Sequence, residues 1–431
     1  MKVAVVGGGL AGLAAAIECA DAGASVTLYE ARSRLGGATF SFERNGLWLD
    51  NGQHVALRCC TAYLGFLRRI GSAHLLPLQR RLHVPVLREG QRPALLSRTA
   101  LPPPLHLAST LLRYAPLGLR ERLAAARAAR ALGKLDSDDP ALDEQTFGWW
   151  LANHGQSEKA ISALWNLIAL PTLNLPAGEA SLAAAVKVFR TGLFDSAGAS
   201  DIGIPAVPFQ RLHADPAAAT LERAGGRLLL GTPVRALSEL DDDAIILAVP
   251  HEAVAALALD AVNGEALEAL GTSPIVNLHI HYDRRVLDGP LAAALDSPVQ
   301  WLFDRTEAAG ASDGQLVAVS LSHAVEEIGV PVAELSARYL PALERLLPEA
   351  GGAEVLDFAV THEPRATFRV APGTRRLRPG PRTKVPGLFL AGAWTDTGWP
   401  ATMEGAVRSG LAAAHAALAG KRRTAPAEAI A

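Results

Sequence analysis

The chain opens on a short run of small and β-branched residues, Val3 to Val6, with the pattern of a buried parallel strand. A second apolar stretch, Leu13 to Ala22, has the length of a helix and stops at Gly23, a C-cap residue. Ser25 to Tyr29 reads as another strand and delivers Glu30. Farther along, Phe40, Phe42 and Leu47 alternate as in a hairpin, and Tyr63, Leu64, Leu67 and Ile70 share one face of a helix starting near Thr61. Ala180 to Leu193 reads as a helix, Gly226 to Val234 resumes the sheet begun by the first two strands, and Ala244 to Pro250 and Val276 to Tyr282 read as strands. A last strand, Leu388 to Ala391, precedes a helix from about Met403.

The first strand runs into Gly7, Gly9 and Gly12, spaced G-x-G-x-x-G, with Leu10 and Ala11 opening the helix. The three glycines serve different ends, with a sharp turn at Gly7, close backbone approach of a pyrophosphate at Gly9, and helix-on-sheet packing at Gly12. The helix N–H groups then face the phosphates. Glu30 follows Gly12 by eighteen residues, where a carboxylate accepts from a ribose. A strand, the glycines, a helix and the acid in this order predict a dinucleotide site.

The run Glu30-Ala31-Arg32-Ser33-Arg34-Leu35-Gly36-Gly37 resembles the E-A-x-x-R-x-G-G-R signature of the amine oxidase and phytoene desaturase flavoproteins. That resemblance implies FAD, with the segment following the pyrophosphate towards the flavin. Ala38 stands where the signature has arginine, so a contact near the ribityl chain is lost. Asp50-Asn51-Gly52-Gln53-His54 resembles the segment beside the flavin ring in the same group, with Gly52 allowing close approach.

Residues 49–71, 169–208 and 387–410 resemble the hydroxysqualene dehydroxylases of bacterial hopanoid synthesis. The resemblance implies reduction of an allylic alcohol by FAD, an apolar isoprenoid substrate held in an apolar tunnel, and a backbone contact of Val234 at the adenine end. It also places Gly392, Ala393 and Met403 at the flavin, with Ala393 replacing the usual aspartate. His54 and Asp396, in the segments flanking the flavin, are the candidate proton donors. A carotenoid-type desaturase and a flavin-free prenyl carrier of the same fold stay open. An amine oxidase fits less well, because Thr402 replaces the aromatic residue that usually precedes M-E-G-A.

The fold class expected is α/β: a Rossmann-type FAD-binding domain with an inserted α+β substrate domain. The FAD-binding domain takes 1–60, 206–260 and 381–420, the substrate domain a mostly helical 61–205 and a sheet-plus-helix 261–380, and 421–431 forms a flexible tail.

A chain of 431 residues, 49% apolar and 19% charged, is not bulk disordered, and a formal charge of −2 gives no global pull towards nucleic acid or anionic membranes. With no cysteine after Cys60, the C-terminal half cannot hold a flavin by thioether, so FAD is expected to be noncovalent. Three cysteines fit a reducing, cytoplasmic compartment, peripheral attachment to the inner membrane staying open. Cys59 and Cys60 read first as small buried residues, and secondly as a redox pair. His279 and His281 share a strand face with no third ligand in matching spacing, so no metal is expected. The N-terminal apolar run is interrupted by glycines and acids and is not read as a signal peptide, and no uncharged apolar run is long enough to span a membrane. Arg120, Arg127, Arg130 and Lys134 share a helical face, with Leu119, Leu123 and Ala126 on another. That helix is either an ordinary solvated one or one that lies on a membrane. No segment identifies an electron donor.

Overall fold

The computed structural model describes residues 1–420, and the expected tail at 421–431 lies outside the described residues. In the first segment, strand β1 (Lys2–Val6) leads into helix α1 (Leu10–Asp21) and strand β2 (Ser25–Tyr29), followed by the hairpin β3 (Ser41–Arg44) and β4 (Leu47–Asp50). Helix α2 (Thr61–Ile70), strands β5 (His83–Leu87) and β6 (Ala94–Ser97), and helices α3 (Ala108–Arg113), α4 (Leu119–Leu132) and α5 (Leu182–Phe189) come next. The chain returns through α6 (Asp215–Arg223), β7 (Arg227–Leu229) and β8 (Ala244–Leu247). It then lays down β9 (Thr272–Tyr282), β10 (Leu291–Ala294), β11 (Trp301–Asp304), β12 (Gln315–Ser322), α7 (Val332–Leu346) and β13 (Val355–Phe368). Strand β14 (Leu388–Leu390) and helix α8 (Met403–Gly420) close the described chain.

Five strands from three separated segments form one parallel sheet, in the order β14-β8-β1-β2-β7. Its interior strands are apolar on both faces because both are covered. On one side α1, α2, α6 and α8 pack over Val3, Val5, Val26, Leu28 and Ile246. On the other, Val6, Leu247, Leu388 and Leu390 meet α4 and α5 through Leu132, Leu182 and Val186. The first core takes in Tyr63, Phe66, Leu67, Ile70 and Leu76, and so reaches past residue 60 into the stretch expected to begin the substrate domain.

The second sheet has seven strands, β13-β9-β12-β11-β10-β5-β6. Side chains alternate across it. Val276, Leu278, Ile280, Val317 and Val319 face α7 at Leu335, Tyr339 and Leu343. Leu291, Ala293, Phe303 and Ala318 face the opposite way, against Tyr114, Leu117, Ala163 and Leu167. His279 is paired with Ala318 and Ala359, so it lies on this second face together with Asn277. Of the two histidines on β9, His279 is buried and His281 is half-buried, its Nε2 3.1 Å from the Asp313 carbonyl. Among the described residues no group of three or more His, Cys, Asp or Glu is placed to hold a metal, and no helix is long and apolar enough to cross a membrane.

Candidate functional site

The glycine turn leaves β1 at Gly7, whose φ of +109° suits glycine. A side chain at Gly12 would put its Cβ 1.8 Å from the Gly7 carbonyl oxygen, so the helix start presses directly on the turn. Leu10 and Ala11 are buried in that first turn. Against it lies a second backbone loop: Gly36 N–H donates to the Gly8 carbonyl at 2.9 Å, and a Cβ on Gly37 would come within 2.8 Å of Gly9 Cα. At Gly9 and Gly37 the two loops meet backbone to backbone and form a cradle, with the Leu35 side chain packed on Gly8.

Glu30 is buried at the end of β2. Its Oε2 accepts from Gly8 N–H at 2.6 Å and its Oε1 from Arg32 N–H at 2.8 Å. Each carboxylate oxygen keeps a further lone pair, so these bonds position the acid without exhausting it. Gly231 N–H donates to the Arg32 carbonyl and Thr232 N–H to the Glu30 carbonyl, which brings half-buried Val234 to this edge. Ala31 and Ala38 are exposed.

Arg34 lies over the Phe40 ring, 3.4 Å from its centroid, and its Nη1 is buried without a hydrogen-bond partner. Burial, foremost, and the neighbouring Arg32 lower its pKa. A planar cation with an unsatisfied N–H fits an anionic or ribose oxygen. Together with the cradle, these are the features that a dinucleotide cofactor requires.

The Asp50–His54 segment is held from both sides. Asn51 donates to the carbonyl of Ala38 and to Glu363 at 3.0 Å each, while its own carbonyl accepts from Asn277 and Thr361. Asn277 Oδ1 accepts from Gln53 N–H at 3.3 Å, and Gln53 Nε2 is buried with no partner. His54 Nδ1 lies 3.2 Å from the Gly52 carbonyl and its ring is edge-on to Phe209 at 5.1 Å. Burial holds its pKa below the usual histidine value. In neutral His54 the proton must sit on Nδ1 to meet that carbonyl, so Nε2 presents a lone pair.

At the far end Gly392 N–H donates to Ser409 Oγ at 2.8 Å, and Arg378 clamps the carbonyls of Ala393, Trp394 and Thr395. Thr402 Oγ1 accepts from Gly405 N–H at 3.1 Å and so caps α8, a role its reading as a missing aromatic did not suggest. Met403 is buried in the first core at the start of that helix. Glu404, also buried, accepts from Ala62 N–H at 3.1 Å and Tyr63 N–H at 2.7 Å, and pairs with Arg408 at 2.6 Å. It therefore ties α2 to α8. Asp396 is exposed, and its carboxylate accepts from Gly398 N–H at 3.2 Å. No hydrogen bond joins it to His54 among those of the described residues.

Cys59 and Cys60 are half-buried free thiols, Cys60 packed against the first core. Their mutual hydrogen bond lowers the pKa of Cys59 and raises that of Cys60, whose burial adds to the rise.

The flavin containing amine oxidoreductase family matches residues 10–418. The hydroxysqualene dehydroxylase of Sinorhizobium fredii is 30% identical, covering 97% of this chain and 98% of that protein. The enzyme of the same name from Rhodopseudomonas palustris is also 30% identical, over 97% and 99%. The 15-cis-phytoene desaturase of Synechococcus elongatus is 23% identical over 97% and 96%. Among solved structures, putrescine oxidase bound to putrescine superposes with a TM-score of 0.72 at 20% identity, covering 97% of this chain and 99% of that one. Cyclohexylamine oxidase from Brevibacterium oxydans superposes at 0.71 and 20%, covering 98% and 99%. At those identities the structural likeness establishes the fold. The Rossmann-type sheet, the family match and the relatives of near-equal length agree: this chain is a flavin-dependent oxidoreductase of the flavin containing amine oxidoreductase family, akin to the hydroxysqualene dehydroxylases.

Proposed function

We propose that the protein binds FAD without a covalent link and reduces hydroxysqualene to squalene, replacing an allylic hydroxyl by hydrogen with release of water. The observation that carries the reading is the apolar second face of the larger sheet. Leu291, Ala293, Phe303 and Ala318 are buried there under Tyr114 and Leu117, an apolar layer beside Asn277 and His279 and next to the segment expected at the flavin. The cation packed nearby, Arg305, is already paired with Asp50 at 2.8 Å, so its charge is neutralised beside this apolar layer. The near full-length relatives of that name support the same substrate class.

FAD, when bound and reduced, supplies hydride to the allylic carbon. The chain's own part is to hold the cofactor, exclude water and provide a proton for the departing hydroxyl. Gly9, Gly36 and Gly37 offer the backbone cradle, Glu30 the ribose acceptor and Arg34 the free N–H. The apolar face keeps water from an allylic cation, which water would otherwise capture. His54 and Asp396 are the proposed proton donors. Half-buried His54 donates from Nε2 only when its ring is protonated, whereas Asp396 stands exposed to solvent. His54→Ala and Asp396→Ala should each slow substrate-dependent flavin oxidation while FAD stays bound. Normal rates in both variants would remove these two residues from the mechanism.

The decisive experiment is to load the protein with FAD, reduce it without oxygen, add hydroxysqualene, follow flavin reoxidation and identify the hydrocarbon by mass spectrometry. Squalene formed in step with reoxidation supports the reading. Flavin that stays reduced, with oxidised protein desaturating an added polyene, would move the chain to the activity of its phytoene desaturase relative.

A further inference from the structure

Leu101, Leu105, Leu112, Leu119 and Leu123 are 51%, 55%, 66%, 67% and 52% exposed, all within twenty-three consecutive residues. A single exposed leucine is ordinary, but such a series on adjoining elements forms a patch that calls for a partner. The elements do adjoin. Arg122, at the start of α4, donates to the Leu112 carbonyl on α3 at 2.5 Å and to the Leu117 carbonyl at 2.7 Å.

Helical spacing puts Leu119, Leu123 and Ala126 on a face apart from the cations, yet the structure turns both groups outward. The buried face of α4 is Ala125, Ala128 and Leu132. Leu119, Leu123, Ala126, Arg127, Arg130 and Lys134 are all exposed, the leucines in the first half and the cations in the second, with Arg113 and Arg120 beside the leucines.

The charge of this stretch is opposite to that of the whole chain. Residues 101–134 carry six cations and one acid, Glu121, in a protein of net charge −2. Glu121 is already engaged: Oε2 accepts from Gly118 N–H and Oε1 from Ser157 Oγ, both at 2.8 Å. An apolar patch bordered by uncompensated arginines is complementary to an anionic lipid surface, where the leucines enter the acyl boundary and the guanidinium groups meet the headgroups.

We propose that the outer face of residues 101–134 seats the protein on an anionic bilayer. The inner side of the same corner closes the apolar sheet face: Tyr114 and Leu117 are each 1% exposed, pack with Phe303 and Ala318, and Tyr114 donates to the Ala163 carbonyl at 2.6 Å. The corner thus lies between lipid and that face. Transfer of an apolar isoprenoid past it rests on the function proposed above, whereas the seating does not.

The test is flotation of the full-length, flavin-loaded protein with vesicles of phosphatidylcholine and phosphatidylglycerol in a two-to-one ratio, and with phosphatidylcholine alone. The protein should float with the anionic vesicles, less so as salt screens the cations. Each cation near such a surface contributes about fivefold, so the triple variant Arg120→Gln/Arg127→Gln/Arg130→Gln should partition on the order of a hundredfold more weakly. Leu112→Ser/Leu119→Ser/Leu123→Ser should also lose flotation, and because these side chains face water both variants should keep flavin content and melting temperature. Failure of the parent protein to float, or undiminished flotation of both variants, overturns the proposal. So does a self-association, seen by sedimentation velocity, that the leucine variant dissolves without any vesicle binding. No substrate is added, so failure here leaves the reductase reading standing, and failure of that reaction leaves the seating intact.

Discussion

Burial keeps His213 and His279 uncharged: it pushes the first down to about 3 and the second to about 4, with His54 lowered for the same reason. The unfolded chain, with histidine near 6.5, takes up protons at a pH where the fold cannot. Stability is therefore fully present above about pH 6.5 and falls as the solution is acidified, by about 2 kcal/mol each for His213 and His279 at pH 5. Urea unfolding at pH 7.5 and pH 5 should show that loss, and His279→Gln should reduce it by one histidine's share. An unchanged pH dependence in the variant would place His279 in contact with water. A second residue-scale expectation concerns Ala393, whose carbonyl Arg378 holds while its side chain offers no acceptor to a cofactor. Ala393→Asp should bind FAD about threefold to tenfold more tightly in direct titration, the worth of one added hydrogen bond. Equal affinities would sink that account. The contrast with Glu30 is instructive. Its placement could be read from the chain because a strand and a glycine turn stand at fixed spacing from it, whereas the clamp on the Ala393 carbonyl comes from Arg378 through a tertiary fold that no local pattern records.

Helices α1 and α8 cross so closely that a Cβ on Gly410 would stand 2.1 Å from the Ala11 carbonyl oxygen. Gly410→Ala has to push them apart, at a cost of about 1–3 kcal/mol, and since Leu10 and Ala11 open the cofactor cradle, flavin affinity should fall with the melting temperature. Gly65 is the counterpart. It sits within α2, where the nearest atom to a Cβ would be Arg68 Nη2 at 3.8 Å, so Gly65→Ala should stabilise by about 0.5–1 kcal/mol. Differential scanning calorimetry of the two variants should give shifts of opposite sign, and a shared sign would contradict the close crossing. Both helices are legible in the sequence as apolar runs bounded by glycine or threonine. Their partners are not, because periodicity separates the faces of a helix without saying which one meets protein. On α4 the small residues Ala125 and Ala128 are buried with Leu132, while the larger Leu119 and Leu123 are left outside. The π-helical turns at Ile161–Trp165, Arg190–Phe194 and Gln210–Ala214 likewise have no local signature, since a wider turn is imposed by packing.

The β3–β4 hairpin is tied to the end of β11 in the larger sheet by a buried ion pair whose halves come from distant parts of the chain. Asp50 ends β4, and Arg305 follows β11. Their side chains are 4% and 6% exposed and 2.8 Å apart. Asp50 also accepts from Ser41 Oγ at 2.6 Å and Phe209 N–H at 3.3 Å, while Arg305 donates to the Pro205 carbonyl at 2.5 Å. Four segments thus converge on one pair, immediately before the Asn51–His54 run expected at the flavin. Such a pair contributes little net stability against an apolar replacement, but breaking it leaves a buried charge uncompensated. Arg305→Met should therefore cost about 3–5 kcal/mol and, by loosening the Asn51–His54 segment, weaken flavin retention. Asp50→Asn/Arg305→Met removes the stranded charge while keeping an acceptor for Ser41 and Phe209, so it should recover a large part of the stability. Urea denaturation of parent, single and double variants, with flavin content measured on each, gives the coupling directly. If the double variant is less stable than Arg305→Met by the full cost of a second independent loss, the pair is not what ties the hairpin to the larger sheet, and the Asn51–His54 segment must be held by Asn277, Thr361, Glu363 and the Ala38 carbonyl instead.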